Sequence, residues 1–265
     1  MAARGGSDLS ARILAALPAI AFAIFIVAEG GWIFAAGAAL LGVVCLHELF
    51  RMYAGLAPVR LAGFAAAIGL ACAAQAAGLR QVMLVLVSFV PLMFLVSLVM
   101  PRRSTEGMAI TTLGVVWIGL ALAHAVLLRK LPHGDGIVVD VLVGTFVGDT
   151  GAYLGGRSFG TRPLAARISP NKTVEGLVIG FVTAALATWA AGLYQDWLSG
   201  SKALLLGFAV GLAAPVGDLF ESAVKRDAQV KDAGRLFGAH GGALDRLDAA
   251  LFTLVAGYYV WLAMS

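Results

Sequence analysis

The chain of 265 residues is 60% hydrophobic, only 13% charged, and carries a formal net charge of +4. Soluble domains have about 25% charged residues, so this composition excludes an ordinary soluble domain and predicts a polytopic membrane protein. The small positive charge is spread over short loops between apolar runs, and we therefore expect no nucleic-acid partner.

The apolar runs predict an all-α fold of nine transmembrane helices, because a helix of about 20 apolar residues crosses a hydrocarbon core. In chain order the predicted spans are 13–28, 32–50, 61–79, 82–100, 107–128, 137–156, 177–198, 203–221 and 244–264. The first span is short and contains Pro18, and a signal peptide is its alternative. Because no convincing cleavage site follows it, we interpret it as a helix.

The distribution of Lys and Arg predicts how these helices are oriented. With a cytoplasmic N-terminus, all Lys and Arg residues lie on the cytoplasmic side except Arg80, Arg129, Lys130 and Lys202. We therefore expect a protein of the cytoplasmic (inner) membrane, with its N-terminus inside and its C-terminus outside.

This orientation places two long polar loops, 157–176 and 222–243, on the cytoplasmic side, whereas every other connection is short. Long loops carry function more often than short ones. We therefore divide the chain into N-terminal transmembrane helices, 1–130, which form a lipid-facing scaffold, and a C-terminal catalytic region, 131–265.

Four carboxylates stand at the cytoplasmic ends of the eighth and ninth predicted helices: Asp218, Glu221, Asp245 and Asp248. The members of each pair are three residues apart and share a helix face. A charged residue at mid-membrane costs about 2.5–3.5 kcal/mol, so these groups are expected to face a wet or metal-filled cavity. The alternative is that they end helices in headgroup water. Aspartate clusters with open positions suit Mg²⁺, and the predicted metal ligands are Asp218, Asp245 and Asp248.

Cations and glycines lie between the two acidic pairs. Anionic lipid attraction explains such cations on its own. The pair Gly241-Gly242, however, allows backbone N–H groups to approach a phosphate, and the positive end of the ninth helix follows. His240 is then expected to donate a hydrogen bond to a phosphate oxygen or to act as an acid, with a structural role as its alternative. The cations are Lys225, Arg226, Lys231, Arg235 and, inside the second pair, Arg246.

A third cluster lies upstream. Asp149 is a further acid in the sixth predicted helix, nine residues after Asp140. The loop that follows holds Ser169, Lys172 and Thr173, residue types that bind phosphate. Alone, this loop is typical of a turn in which Ser or Thr caps a helix.

These clusters together resemble a known family. The spacing of Ser222, Lys225-Arg226, Lys231-Asp232, His240-Gly241-Gly242 and Asp245-Arg246-Leu247-Asp248 resembles the signature of the phosphatidate cytidylyltransferase (CDP-diacylglycerol synthase) family. The runs 149–153 and 169–176 resemble the two upstream motifs of that family, in the same order. The sequence departs from the family at Gly238-Ala239, where members commonly have Pro-Gly; no ionisable group is lost.

The resemblance implies an enzyme that transfers CMP from CTP to phosphatidic acid at the cytoplasmic interface, giving CDP-diacylglycerol and pyrophosphate. It also implies dependence on Mg²⁺, in which a two-metal site is one arrangement, and a homodimer within membrane lipid. The expected catalytic residues are Asp218, Asp245, Asp248, Lys225, Arg226 and His240. The expected substrate-binding residues are Asp149, Ser169, Asn171, Lys172, Thr173, Lys231, Gly241, Gly242 and Arg246, the last with pairing to an aspartate as its alternative.

Two other functions fit parts of the pattern. One is a different CTP-using membrane enzyme, which acts on a polyprenyl lipid or transfers a phosphoryl group. The other is a transporter or channel, for which intramembrane acids and broken helices are typical. Pro215 and Gly217 are expected to break the eighth helix, but the acids cluster at one membrane face, which disfavours transport.

Overall fold

The computed structural model of this protein describes residues 20–234, 236 and 241–265. In these residues eight helices are long and apolar enough to cross a membrane, and one shorter apolar helix precedes them. The helices are α1 (Ile20–Glu29), α2 (Gly31–Met52), α3 (Arg60–Ala77), α4 (Leu79–Leu98), α5 (Thr105–Lys130), α6 (Gly134–Phe159), α7 (Val174–Gly192), α8 (Gly200–Asp227) and α9 (Leu244–Met264).

The predicted spans from the second to the ninth coincide with α2 to α9, so the prediction of membrane helices is confirmed for these eight. Residues 13–19 of the first predicted span lie outside the described part of the chain. Two short irregular elements accompany the helices: a 3-10 turn at Ala54–Leu56, and a π-helical turn at Val115–Gly119 within α5.

The prediction of an all-α fold missed one small element, a β-hairpin between α6 and α7. Strand β1 (Pro163–Ala165) pairs antiparallel with β2 (Ser169–Thr173), with Pro163 opposite Thr173. Neither strand has the alternating apolar pattern of a strand that packs on a core, so its sequence carried no strand signal. At its end the Thr173 hydroxyl accepts from the Gly176 N–H and caps α7, the local cap that the loop sequence offers.

The expected break of the eighth helix at Pro215 and Gly217 is wrong, because α8 continues through both residues to Asp227. Membrane bundles tolerate proline inside a helix when neighbouring helices restrain it. Gly217 instead serves close packing, since a Cβ there would meet the carbonyl oxygen of Asp248 at 2.5 Å and the Cα of Ala249 at 3.0 Å. This contact places Asp218 directly beside the first turns of α9.

Hydrogen bonds between helix ends define two faces of the bundle. At one face, which we call the hairpin face, the Tyr53 hydroxyl donates to the carbonyl of Val224 at 3.0 Å. The Ser104 hydroxyl likewise donates to the carbonyl of Leu56 at 2.6 Å. The ends of α2 and α8 and the start of α5 therefore lie together there, next to the β-hairpin.

At the opposite face, three cations satisfy the carbonyl groups that a helix leaves unpaired at its C-terminus. Arg129 donates to the carbonyl of Val27 at 2.8 Å, which lies in the last turn of α1. Lys130 donates to the carbonyl of Gln75 at 2.6 Å in α3. Lys202 donates to the carbonyl of Met264 at 2.6 Å in α9. Three of the four cations that the sequence places on this side thus have structural partners.

The apolar side chains divide between an interior core and an outer, membrane-facing surface. Phe50, Leu70 and Ile118 are fully buried where α2, α3 and α5 meet. On α4, by contrast, Leu84 and Val87 are more than half exposed. This distribution is expected of a bundle that is surrounded by lipid, because lipid tails are as apolar as the core.

Candidate active site

A cavity of about 640 Å³ lies between α6, α7, α8 and strand β2, toward the hairpin face. Cavities of about 300–1,000 Å³ hold small-molecule ligands. Six of the predicted site residues line this one: Asp149, Ser169, Asn171, Lys172, Thr173 and Asp218. The structure therefore brings the upstream cluster together with the first acid of the eighth helix, although a long stretch of chain separates them.

Small residues let α6 and α7 approach each other beside this cavity. A Cβ at Gly148 would meet the Cβ of Ala184 at 2.8 Å, and a Cβ at Gly180 would meet the Cβ of Ala152 at 2.6 Å. In membranes such close packing drives helix association. It also fixes the position of Asp149, which directly follows Gly148.

The ammonium group of Lys172 lies 2.5 Å from Asp218 Oδ2. The pair has ion-pair distance but not hydrogen-bond geometry, and this buried nitrogen has no hydrogen-bond partner among the described residues. Lys172 lines the cavity, and an ammonium group carries three N–H donors that can bind an anion. The arrangement suits a phosphate held next to a carboxylate.

Three carboxylates gather at this point. Asp149 and Asp248 both lie close enough to Asp218 for their charges to repel. Magnesium ions are usually held by one or two carboxylates together with substrate phosphates. Within the described part of the chain, no three His, Cys, Asp or Glu side chains lie close enough together to hold a metal ion by themselves. Asp149 and Asp218 line the cavity, so a Mg²⁺ ion there would need further ligands from a substrate phosphate, and the predicted metal site stays a prediction.

A second charge cluster, which we call the lysine triad, lies next to the first and consists of Lys225, Glu221 and Asp245. The Lys225 ammonium is 2.5 Å from Glu221 Oε2 and 2.8 Å from Asp245 Oδ1. All three side chains are largely buried; only 1% of Glu221 is exposed. A buried lysine that bridges two carboxylates keeps its charge and fixes the spacing of α8 and α9.

Asp245 also binds the backbone of the loop that precedes it. Its carboxylate accepts hydrogen bonds from the N–H groups of Ala233, at 3.0 and 3.1 Å, and Gly242, at 2.7 Å. Both oxygens thus already have donors, so Asp245 organises the loop in this structure. Its predicted role as a metal ligand stays a prediction.

The remaining predicted site residues are Arg226, Gly241, Gly242, Lys231, Arg246 and His240. Arg226 donates to the carbonyl of Ile168 at 3.2 Å and so ties the end of α8 to the hairpin turn. Gly241 and Gly242 are buried, and Gly241 has a φ of +81°, which favours glycine. Lys231 and Arg246 are exposed. His240 lies outside the described residues, and its predicted role is a prediction only.

Residues that the sequence analysis did not single out complete the site. Arg157 and Tyr153 line the cavity, and the Arg157 guanidinium donates to the Tyr153 hydroxyl at 3.3 Å. Glu48, in α2, is buried and accepts from the N–H groups of Ala243 and Leu244 at 3.1 and 2.9 Å. A signal for Glu48 was present, because it is an acid within an apolar run, as Asp218 is.

Tyr53 also reaches the C-terminal part of the chain from the N-terminal helices. Its hydroxyl donates to Asp227 Oδ2 at 2.8 Å. Burial and this hydrogen bond raise the pKa of the Tyr53 phenol above its ordinary value. The division into a scaffold, 1–130, and a catalytic region, 131–265, stays a prediction; Tyr53, which follows α2, is a packing contact to the end of α8 and does not line the cavity.

Comparison with known proteins decides the family. Residues 10–264 match the model of the cytidylyltransferase family. The chain belongs to this family. A phosphatidate cytidylyltransferase of Bacillus subtilis (strain 168) is 31% identical over 266 residues, which cover 96% of this chain and 97% of that protein. The family predicted from the motifs is therefore confirmed.

Two other relatives match over a shorter region. A phosphatidate cytidylyltransferase of Helicobacter pylori (strain J99) is 44% identical over 117 residues, 43% of each chain. The uncharacterised protein YnbB of Escherichia coli (strain K12) is 38% identical over 151 residues, 55% of this chain and 51% of that protein. The chain thus spans nearly all of one relative and about half of the other two. Family membership and the apolar helices make it a multi-pass membrane nucleotidyltransferase.

Proposed function

We propose that this protein transfers the CMP group of CTP to phosphatidic acid, giving CDP-diacylglycerol and pyrophosphate. The observation that carries the proposal is the cavity, in which Lys172 faces Asp149 and Asp218. Full-length similarity to the B. subtilis phosphatidate cytidylyltransferase supports the same reaction. Membership of the family supports a CTP-dependent transfer, and phosphatidic acid as the acceptor is our inference.

In this reaction a phosphate oxygen of phosphatidic acid attacks the α-phosphorus of CTP. A new P–O bond forms there, the bond to the β-phosphate breaks, and pyrophosphate leaves. No base is required, because a phosphomonoester with a second pKa of about 6 is mostly dianionic at neutral pH. Such transfers depend on positioning and charge neutralisation. Lys172 and Arg157, which line the cavity, are placed to neutralise and orient the phosphates.

Dependence on Mg²⁺ is part of the proposal. Asp149 and Asp218 at the cavity, with Asp248 beside them, are the residues that would hold the ion. When bound, Mg²⁺ supplies charge neutralisation on the triphosphate. The aspartates of this chain then fix where the triphosphate lies relative to Lys172.

The apolar part of the cavity supports a lipid acceptor. Leu177, Phe181 and Ala184 from α7 line it together with Gly211 and Ala214 from α8. These residues continue from the charged end of the cavity into the membrane-spanning part of both helices. We infer that the phosphate of the lipid lies near Lys172 while its chains lie along α7 and α8.

A turnover assay tests the proposed function. Purified full-length protein in detergent receives phosphatidic acid and labelled CTP, with Mg²⁺ or with a chelator. We expect a CMP-bearing lipid and pyrophosphate in equal amounts, only with Mg²⁺. Diacylglycerol, which lacks the attacking phosphate, is the matched control and should give no product. A folded protein that uses a polyprenyl phosphate but not phosphatidic acid would contradict the proposal.

The proposal places the hairpin face in the cytoplasm, where CTP is available. The excess of Lys and Arg that we predict on this side supports that orientation. A reporter fused after Ser265 is therefore expected to face away from the cytosol, whereas the same reporter fused before Met1 should be cytosolic. A cytosolic C-terminal reporter would contradict the orientation. The homodimer implied by the family resemblance stays a prediction, which cross-linking in membranes would test.

A further inference from the structure

Glu48 is a buried acid whose carboxylate accepts hydrogen bonds from the C-terminal part of the chain. Only 6% of the residue is exposed. Its two carboxylate oxygens accept from two consecutive N–H groups, those of Ala243 and Leu244, at 3.1 and 2.9 Å. These groups begin α9, and the first N–H groups of a helix have no partner within the helix. Glu48 thus anchors the start of α9 from a different helix, α2.

The backbone around Glu48 leaves room only for glycine at two places. A Cβ built at Gly234 or at Gly242 would overlap the carboxylate of Glu48. On the other side of the same segment, a Cβ built at Gly241 would meet Asp245 Oδ2 at 2.5 Å. Two carboxylates, one from α2 and one from α9, therefore enclose the Gly241-Gly242 backbone.

Asp245 lies in the turn of α9 that Glu48 anchors, and Asp248 lies in the turn after it. Leu244, which donates to Glu48, directly precedes Asp245. Asp248 follows one turn later, where it lies near Asp218 and Asp149. A shift in the start of α9 would therefore move Asp245 and Asp248 relative to Lys225 and the cavity.

We propose that Glu48 is a positioning residue for nucleotidyl transfer: it holds the first turn of α9 so that Asp245 and Asp248 keep their place beside the cavity. This inference rests on the proposed function. Glu48 does not line the cavity, so it acts through α9 and not by contact with a substrate. Since a displacement of about 1 Å can cost about 100-fold in rate, the turnover number should be more sensitive to Glu48 than substrate binding is.

The substitution Glu48→Gln tests this role with little change in volume. The amide keeps one acceptor oxygen but presents an NH₂ group to the second backbone N–H, so one hydrogen bond is lost and the other is strained. We expect kcat for CMP transfer to fall by about 100-fold, with the KM for CTP changed by less than about threefold. Amide exchange of the peptide that contains Leu244 should become faster.

A second variant keeps the Glu48 carboxylate and changes only the space around it. Gly234→Ala places a methyl group against the Glu48 carboxylate and should lower kcat in the same way. Its matched control is Gly69→Ala in α3, where the new Cβ would have an ordinary contact of 3.5 Å with Val85. We expect this control to keep wild-type kcat and exchange.

Thermal unfolding separates positioning from a purely structural role. Tyr53→Phe removes another link between the end of α2 and the C-terminal helices, at α8, and should lower the melting temperature while keeping kcat. The inference is overturned if Glu48→Gln keeps wild-type kcat, or if kcat falls only in proportion to folded protein. If the wild-type protein does not use phosphatidic acid, the proposed function is overturned instead. Even then, unchanged amide exchange at Leu244 in the Glu48→Gln variant would reject the positioning role of Glu48.

Discussion

Asp218→Asn is expected to lower CMP transfer by at least about 1,000-fold, which corresponds to about 4 kcal/mol of transition-state stabilisation. The carboxylate of Asp218 pairs with Lys172, and its charge acts on the neighbouring carboxylates of Asp149 and Asp248. An amide there removes a ligand for the predicted Mg²⁺ and the ionic partner that orients Lys172. Both losses act on the charges that must be arranged around the triphosphate.

The same substitution should affect stability little. Lys172 and Asp218 are partly exposed, by 25% and 36%, and exposed ion pairs contribute about 0–1 kcal/mol. We therefore expect the melting temperature in detergent to shift by only a few degrees. The measurement is the rate of CMP transfer at saturating CTP, together with thermal unfolding of the same preparation.

Asp140→Asn is the matched control for this prediction. Asp140 lies in α6, like Asp149, but nine residues earlier, or about 13 Å along the helix. It is fully buried, and its carboxylate accepts from the Gln195 side chain at 2.9 Å. Gln195 has a buried oxygen without a partner, which can accept from the new amide. If both variants lose activity to the same degree, the central role of Asp218 is contradicted.

The part of the site that sequence reasoning predicted consists of charged residues in unexpected surroundings. Asp149 and Asp218 were found because an acid within an apolar run must have a polar cavity or a partner. Lys172 was found because phosphate-binding residue types stood together on a loop. The structure brings these three residues to one cavity, since α6, α7 and α8 pack side by side through glycine and alanine. Helix spans were predictable for the same reason: long apolar runs leave few alternatives.

What the sequence did not predict depends on contacts between distant segments. Glu48 and Ala243 are 195 residues apart, and no local pattern shows that their backbone and side chain meet. The β-hairpin is tied to α8 by Arg226, which donates to the carbonyl of Ile168, 58 residues away in sequence, and not by strand propensity. The helix break expected at Pro215 failed because a local rule was applied where tertiary packing restrains the helix.

Lys225→Met is expected to cost about 3–5 kcal/mol of stability and about 100-fold or more in CMP transfer. Lys225 is the cation of the lysine triad, in which only 1% of Glu221 and 10% of Asp245 are exposed. Methionine has a similar length but no charge, so it leaves Glu221 buried without an ionic partner. Asp245 keeps its hydrogen bonds from Ala233 and Gly242 but loses the cation that links it to α8. Thermal unfolding and the turnover assay measure the two effects separately.

The double variant Lys225→Met/Glu221→Met distinguishes structure from catalysis. It replaces a buried ion pair with apolar side chains of similar volume, a change that is often neutral or stabilising in folded proteins. We therefore expect it to recover most of the lost stability. Activity should stay low, because the positive charge next to Asp245 and Asp248 is still missing. If activity returns together with stability, Lys225 serves only to hold α8 and α9 together, and its predicted catalytic role is wrong.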